Sequence, residues 1–330
     1  MWIQVLCGLV LYKILRYFFF DDDVLDVETS DFNAIFSVAS KLEKLYGGKA
    51  YIGLRIPDPD AHADSSSSFS SRVNCDLVLL TKGEAVVINV KNIAGFVSVN
   101  SDGSWMCISD HKHKEELYPD PVAEAKRQAS ALEAYIEQRG ISLPEGFVSY
   151  KVITSNPKFR TLDPESFRPE VIQYDQWVHL KPDTKSVFSG WIKGAFRSAK
   201  KEVQESTLQQ LQFVLSTAPI WDRLELKGSK NVLGEFQEFK GKHEDLQLLK
   251  YIKRSKVGRM IVQKTSMFGL APTTLQVLYS FRDYRNEGAT GSEWKEVTVR
   301  SSTEILFQPQ NSKKVRKYKL SSVSSLSLSA

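Results

Sequence analysis

The stretch Cys75–Lys91, CDLVLLTKGEAVVINVK, constrains the fold of this chain more than any other. It holds two short apolar runs joined by Thr-Lys-Gly-Glu, the pattern of two neighbouring β-strands connected by a turn. Alternate residues of a strand share a face, so Asn89 and Lys91 point the same way and Val90 points into the opposite layer. The sequence therefore predicts a sheet with Asp76 on one strand and Asn89 and Lys91 on the next.

These residue types at this spacing indicate chemistry on phosphates. An acid on one strand and an acid-x-Lys on its neighbour can hold Mg²⁺ against a phosphate, while the lysine orients or activates the attacking water. Here Asn89 takes the place of the second acid, and its amide oxygen can ligate the ion but brings no charge. We therefore predict Asp76 as a metal ligand, Lys91 as a catalytic lysine and Asn89 as a degenerate acidic position.

The residues after Lys91 make the pattern more specific. Asn92-Ile93-Ala94-Gly95 comes next, then Asp102-Gly103-Ser104-Trp105, and Asp120 precedes the helical segment PVAEAKRQASALEAYI. Over roughly residues 31–155 this order resembles the nuclease-related domain, NERD, a divergent branch of the PD-(D/E)xK nucleases. The whole architecture looks like that of plant NERD proteins. The resemblance implies that Asp76 is the metal-binding acid and Lys91 the catalytic lysine.

Two positions of the motif depart from the family. Asn89 stands where the family has Glu, and Glu124 stands where it has Gln. Upstream, family members open with Gly-Glu on a helix with an apolar stripe, and these two positions fall here on Ala34 and Ile35. The resemblance thus implies a nuclease-like site that has lost acids and is catalytically impaired.

An acid that has moved in from a flanking helix would restore the charge. Glu124 and Glu43 are the candidates, whereas Glu84 sits at an odd offset from Asn89 and would face away. Mg²⁺ is usually held by one or two carboxylates together with substrate phosphates. A metal contributes several kcal/mol to the transition state, and each ~1.4 kcal/mol is about tenfold in rate, so Asp76 alone predicts a slow or silent site.

Three functions stay open on these grounds. The first is a membrane-tethered NERD protein that binds nucleic acid or another polyanion without efficient cleavage. The second is an active Mg²⁺-dependent DNA nuclease with a migrated carboxylate. The third is a membrane-associated scaffold for protein interactions. The first is the interpretation that the missing acids favour.

The periodicity of the chain predicts its organisation. Residues 21–30 read as an acidic linker and residues 31–220 as a nuclease-like α/β domain, in which helices flank a mixed sheet and 186–218 is a long helical region. Helices are predicted at 32–46 and 121–139, and the strands at 76–81, 84–93, 95–99 and 105–108 are predicted to form one meander. Residues 221–330 read as a small all-β barrel or sandwich, because short alternating runs are separated by Gly and Pro turns.

Residues 1–20, MWIQVLCGLVLYKILRYFFF, are almost wholly apolar and end at three aspartates. As a helix this segment would be about 30 Å long, the thickness of a bilayer core. We predict a membrane anchor, either a single pass or an interfacial helix. Because Lys13 and Arg16 follow the purest apolar run, the positive-inside rule places the body in the cytosol.

The C-terminal part is strongly basic although the chain as a whole carries only +5. Residues 223–330 contain 20 Lys and Arg against 10 Asp and Glu. Two clusters interleave cations with tyrosines, which suits phosphate contacts and base stacking, or anionic lipid headgroups. The predicted polyanion-binding residues are Lys250, Lys253, Arg254, Lys256, Lys313, Lys314, Arg316 and Lys317.

Overall fold

A computed structural model describes residues 21–59, 72–109, 115–180, 204–264, 274–283 and 289–329, with the backbone alone at 21–29, 264, 283 and 289–292. It is a mixed α/β structure with sheets of five, four and eight strands.

The elements of the first part, in chain order, are α1 (Asp21–Tyr46), β1 (Lys49–Pro57), β2 (Arg72–Leu80), β3 (Ala85–Lys91), β4 (Gly95–Val99), β5 (Trp105–Ile108), β6 (Glu115–Tyr118), α2 (Pro121–Gln138), β7 (Val148–Thr154), β8 (Phe159–Arg160), β9 (Val171–Ile172), α3 (Tyr174–Val178) and α4 (Glu205–Ser216). The elements of the second part are β10 (Asp222–Leu226), β11 (Lys230–Lys240), α5 (His243–Leu249), β12 (Val257–Lys264), β13 (Thr274–Asp283), β14 (Ala289–Arg300), β15 (Glu304–Pro309), β16 (Arg316–Lys319) and β17 (Val323–Ser327). Single 3₁₀ turns lie at Pro164–Ser166 and Leu320–Ser322.

Helix α1 is longer than the sequence predicted. Residues 21–30, which the sequence predicted to be an acidic linker, are helical and belong to α1. The helix ends at Gly47, whose φ of +66° and N–H bond to the Glu43 carbonyl at 2.9 Å form the stop that the sequence predicted.

The five-stranded sheet, in the order β1-β2-β3-β7-β9, lies between helices. Strands β1, β2 and β3 are antiparallel, and β3, β7 and β9 are parallel. Val38 and Leu42 of α1 pack on one face of the sheet with Ile88. Leu132 and Ile136 of α2 pack on the opposite face. Both helices therefore fix the sheet, as an amphipathic helix does when it buries its apolar stripe.

Strands β4, β5 and β6 do not continue that sheet. The prediction of one meander is wrong, since these strands form a separate sheet in the order β6-β5-β4-β8. The chain leaves the first sheet at Gly95, where φ is +131° and a Cβ would lie 2.3 Å from the Ile108 carbonyl oxygen. Glycine at this point therefore lets the chain turn into β4 while β5 pairs closely beside it.

The second part is one eight-stranded antiparallel sheet in the order β14-β13-β12-β17-β10-β11-β15-β16. A three-residue turn joins β14 to β15, although these strands lie first and seventh in the order, so the sheet must curl round a single core. Helix α5 contacts both β11 and β14. The predicted β-rich unit is therefore a strongly curled sheet with one short helix.

Helix α1 joins the two parts. Phe32 is buried in the core of the eight-stranded sheet, whereas Ile35 belongs to the core of the five-stranded sheet. Of the predicted helical region 186–218, α4 is the helix that the structure describes, and residues 186–203 lie outside the described residues. The predicted anchor at 1–20 also lies outside them. Within the described ranges, no helix has the length and apolar character needed to cross a bilayer.

Candidate functional site

The site is built where strand β2 parts from strand β3. The ladder between them runs from Leu80↔Ala85 to Leu77↔Ile88, and β3 continues to Lys91 beyond it. Asp76 is the first residue past the last pair. Its Oδ2 accepts a hydrogen bond from the Val90 backbone N–H at 3.1 Å, so a carboxylate takes over where the backbone ladder ends.

A bend in strand β1 explains why β2 diverges at this point. The pairs Ile52↔Leu77 and Leu54↔Cys75 place Gly53 opposite Asp76. Gly53 has a φ of +68°, a conformation that other residues adopt only with strain. On one side of the bend Ile52 and Leu77 pack with α1, and on the other Leu54 and Cys75 pack in the cluster that contains α2. The ribbon thus turns at Gly53 and presents Asp76 at the edge.

Lys91 is paired with an acid, and that acid is Glu124. Its Nζ donates to Glu124 Oε2 at 3.0 Å, and its side chain is only 20% exposed. Glu124 lies in the first turn of α2, which Asp120 caps by accepting from the N–H groups of Val122 and Ala123. The predicted start of α2 at Pro121 is confirmed. Lys91 and Glu124 therefore meet because the helix begins directly over the end of β3.

Asn89 lies two residues before Lys91 on the same face of β3 and is 1% exposed. Its Oδ1 finds no hydrogen-bond donor among the described residues. Gln128 of α2 is also buried, and its Oε1 likewise lacks a donor in that part of the chain. Buried acceptors are nearly always satisfied in proteins. A water molecule or a cation could satisfy each of these amide oxygens.

The environment of Asp76 raises the pKa of its carboxyl group to about 6. Burial is the main cause, and the carboxylates of Glu124 and Asp31 add to it. The ammonium group of Lys91 and the Val90 hydrogen bond act in the opposite direction. A carboxyl group with a pKa near neutrality is common at functional sites, where burial and like charges are brought together.

Asp31 is the site residue that the sequence reasoning missed. It lies on α1, its Oδ1 accepts a hydrogen bond from Asn92 Nδ2 at 3.1 Å, and the nearby charge of Lys91 partly offsets the burial that raises its pKa. Ile35, the position at which the resemblance expects an acid, is buried in the apolar core. Residues four apart share a helix face, so Asp31 could have been predicted as a replacement for the acid that is missing at Ile35.

Glu43, a predicted replacement acid, and Glu84, which was predicted to face away, both lie elsewhere. Glu43 Oε1 accepts a hydrogen bond from the Ala50 N–H at 2.8 Å, at the start of β1. Glu84 is buried at the opposite end of β3, where Ser149 donates to it. Burial raises the pKa of Glu84 to about 7, with the Ser149 bond and Lys151 acting against it. Neither residue accompanies Asp76.

The donor set limits what the site can hold. Across the described residues, no group of three or more His, Cys, Asp and Glu side chains has the arrangement of a metal site. Asp76 and Glu124 supply carboxylates, and Asn89 supplies an unsatisfied amide oxygen. Mg²⁺ takes oxygen ligands, commonly from one or two carboxylates with substrate phosphates and water. The residues present therefore fit an ion that a phosphate helps to hold.

Residues 31–155 match the family model of the nuclease-related domain, NERD. The match begins at Asp31 and covers Asp76, Asn89, Lys91 and Glu124. No curated protein and no solved structure matches the chain. The NERD match thus coincides with the two helices and the sheet that build the site, and it stops before the eight-stranded sheet.

The predicted polyanion-binding residues lie outside the NERD region, in two places. Lys250, Lys253 and Lys256 are exposed in the connection from α5 to β12, with Lys250 and Lys256 on the ring of Tyr251 at 5.2 and 5.8 Å. The second group lies before and along the edge strand β16, five strands away from β12. Its members are Lys313, Lys314 and Lys317, which are exposed, and Arg316, which is partly buried.

Arg254 differs from the lysines around it. Its Nε and Nη2 donate to Asp222 Oδ2 at 2.9 and 2.6 Å, and the Asp222 side chain is fully buried. This ion pair occupies the guanidinium that the sequence assigned to a polyanion. Arg254 therefore stabilises the eight-stranded sheet.

Proposed function

We propose that the NERD region forms a PD-(D/E)xK-type site that acts on the phosphodiester backbone of nucleic acid with the help of a divalent cation. The observation that carries this proposal is the position of Asp76. Its carboxylate lies at the divergence of β2 and β3, bonded to Val90, with Asn89 and the Lys91–Glu124 pair on the neighbouring strand and helix.

The charge of the site favours a cation as the link to nucleic acid. Lys91 forms an ion pair with Glu124 and interacts electrostatically with Asp31 and Asp76, so these four side chains together are negative. A bare phosphate is repelled by such a group, whereas a divalent cation is attracted by it. Polyanion binding at this site therefore requires the cation first.

Each residue has a role in this proposal. Asp76 and Asn89 would hold the ion, and Glu124 would complete its oxygen ligands. When bound, Mg²⁺ supplies charge that polarises a phosphoryl oxygen. Lys91 has three N–H donors, one of which holds Glu124, and the others are available to orient a phosphate oxygen or the attacking water. Gln128 Nε2 donates a hydrogen bond to Glu124 Oε1 at 3.5 Å and would help to orient the Glu124 carboxylate.

A second candidate is cation-dependent binding without efficient cleavage. It is favoured by Asn89, because a buried neutral amide stands where a second strand carboxylate would anchor the ion. Loss of a few kcal/mol of stabilisation in the transition state lowers the rate by orders of magnitude while ground-state binding persists.

Cleavage and binding assays separate the two candidates. Purified full-length protein in detergent is incubated with single- and double-stranded DNA and RNA in Mg²⁺, Mn²⁺ or Ca²⁺. Cation-dependent turnover that disappears in Lys91→Ala supports the nuclease. Binding that needs the cation, without turnover, supports the second candidate, and a gain of cleavage in Asn89→Glu would then identify a dormant site. Binding to neither nucleic acid nor cation would leave the scaffold hypothesis.

The exposed lysines of the eight-stranded sheet are proposed to contact the same nucleic acid away from the site. Each phosphate contact released by salt contributes to the slope of log affinity against log salt. Replacing Lys313, Lys314 and Lys317 by Gln should therefore reduce that slope, whereas the same change at Arg254 should instead damage folding. Retained nucleic-acid binding with lost affinity for anionic vesicles would assign these lysines to lipid headgroups.

Membrane attachment through residues 1–20 is proposed from the sequence of that segment. Retention of the protein in the membrane pellet after a carbonate wash, and its release when residues 1–20 are deleted, would support a spanning or interfacial anchor. Full release of the intact chain would exclude the spanning version.

A further inference from the structure

The bend that presents Asp76 is held from outside the NERD match. Strand β1 pairs with β2 on one side. On its other side it pairs with residues 219–221, which lead into the eight-stranded sheet. The Arg55 N–H donates to the Pro219 carbonyl at 2.8 Å, and the Trp221 N–H donates to the Gly53 carbonyl at 3.0 Å. Leu54 and Ile220 form a β-bridge between these two bonds. The backbone contact is therefore centred on the bend itself.

Two side chains associated with the eight-stranded sheet also pack closely against Gly53. A Cβ at this position would lie 3.3 Å from Leu233 Cδ1 and 3.4 Å from Trp221 Cδ1. Both residues belong to the core of the eight-stranded sheet or pack against it. Gly53 thus lies directly across the β1–β2 ladder from Asp76 and directly under Trp221.

Trp221 is fixed in turn by a charged contact. The Arg55 guanidinium lies over its ring at 3.8 Å from the centroid, and Arg55 Nη1 forms an ion pair with Glu235 Oε1 at 2.7 Å. Glu235 lies on β11. The stack of Arg55 on Trp221 therefore joins strand β1 to a central strand of the second part.

From these contacts we propose that Trp221 is a positioning residue of the NERD site, through which the eight-stranded sheet sets the place of the Asp76 carboxylate. Loss of the Trp221 ring frees the Gly53 bend, and the β1–β2 ribbon moves with the carboxylate that it carries. The hydrogen bond between Asp76 and Val90 then lengthens. The consequence for cation binding rests on the function proposed above, whereas the position of Asp76 does not.

The Val90 amide gives a direct and cation-independent measurement of this bond. Hydrogen exchange is followed by mass spectrometry in full-length protein in detergent, without divalent cation, for Trp221→Ala, Trp221→Phe and the wild type. We expect the Val90 amide to exchange about tenfold faster in Trp221→Ala, because local opening of the ladder end becomes easier, and near the wild-type rate in Trp221→Phe. Trp294→Ala, at a 42% exposed tryptophan on β14, is the matched control and should leave it unchanged.

Three results would overturn the proposal. One is native Val90 exchange in a folded Trp221→Ala protein. Another is acceleration of equal size in α2 peptides, which would show general loosening. The third is a Trp221→Phe protein as fast as Trp221→Ala. If Trp221→Ala does not fold, Trp221→Leu replaces it, since leucine fills space but cannot stack on Arg55.

Titration with Mn²⁺ alone keeps the two proposals apart. A wild type that binds Mn²⁺ and a Trp221→Ala variant with about tenfold weaker affinity would support both, since loss of a residue that orients a metal ligand commonly costs about 10–100-fold in affinity. If the wild type binds no Mn²⁺ but the exchange pattern holds, the cation site fails and the positioning role of Trp221 stands.

Discussion

Two aspartates, one in each part of the molecule, satisfy their carboxylates in opposite ways. Asp222 accepts hydrogen bonds from the Phe236 and Ser329 N–H groups, each at 2.7 Å, and is paired with Arg254. Asp76 accepts from Val90 at 3.1 Å and lies near other carboxylates, and its pKa rises to about 6. A carboxylate surrounded by donors stabilises the fold. A carboxylate among like charges is costly to the fold and suited to a cation.

The largest effect on stability is expected from a substitution of Asp222, the aspartate that stabilises the fold. Asp222→Asn removes the buried charge that accepts hydrogen bonds from Arg254, Phe236 and Ser329, and we expect a loss of about 3 kcal/mol in the free energy of unfolding. Chemical denaturation measures it. Glu238→Gln, at an exposed acid of the same sheet, is the control and should change stability by less than about 0.5 kcal/mol. Equal stability of both variants would contradict the role given to Asp222.

Asp76→Asn should increase the free energy of unfolding, whereas Asp222→Asn should decrease it. Ionised Asp76 is unfavourable in the folded state, whereas Asn can still accept the Val90 bond without charge. We expect stability at pH 7 to rise by about 2.7 kcal/mol, because the pKa of Asp76 is about 6 in the folded chain and about 4 in the unfolded chain, and each pKa unit is worth ~1.36 kcal/mol. Denaturation at pH 7 measures this, and destabilisation would show that Asp76 is structural.

The same group predicts a pH dependence. Because the folded pKa of Asp76 is raised, the folded state binds the proton more tightly, and its contribution is fully present below about pH 4 and lost as pH rises through about 6. Wild-type stability relative to Asp76→Asn should therefore fall between these pH values and stay level above them. A difference that does not vary with pH would place the pKa of Asp76 at its ordinary value.

Asn89→Glu sharpens the comparison by adding charge to the site. The buried carboxylate should destabilise the cation-free protein and raise Mn²⁺ affinity about tenfold, which corresponds to ~1.4 kcal/mol. Isothermal titration with Mn²⁺ gives the affinity. Asn89→Gln adds length without charge and is the matched control. Equal affinities of the two variants would separate cation binding from the charge at this position.

The smallest effect is expected at Asp31. Removing its charge in Asp31→Asn should lower the pKa of Asp76 by a few tenths of a unit, because Asp31 is the last of the causes that raise it. An NMR titration of the Asp76 carboxyl measures the change. Asp175→Asn, at an exposed acid of α3, should leave the midpoint unchanged. An unchanged pKa of Asp76 would show that Asp31 lies too far away to act on it.

Sequence periodicity was sufficient for elements whose hydrogen bonds are local or whose faces alternate cleanly. Strands β4 and β5 have the predicted bounds, and α2 begins at the predicted Pro121 under its Asp120 cap. The motif also brought Lys91 and Glu124 into one region. Their direct ion pair could not be predicted from the sequence, because it depends on the path of the chain. The chain turns at Gly95 and runs through the second sheet before the start of α2 lies over β3.

Other features depend on partners that are distant in sequence. Arg254 appears as one cation in a basic cluster, and Asp222, which binds it, lies 32 residues earlier in the chain. Asp31 lies at the first residue of the family match, outside the strand motif, and reaches the site through Asn92. Local charge patterns cannot distinguish a cation that faces solvent from one that neutralises a buried acid.

The shared helix α1 has a practical consequence for cutting the chain. A fragment limited to residues 31–155 would keep Phe32 without the core that covers it, and the edge of β1 at Gly53 and Arg55 would lose its partners Pro219 and Trp221. An exposed aromatic side chain and an unpaired strand edge both favour association, because the edge can form hydrogen bonds with a strand of a second copy. Such a fragment should aggregate, so the boundaries of the family and those of the smallest soluble unit differ in this protein.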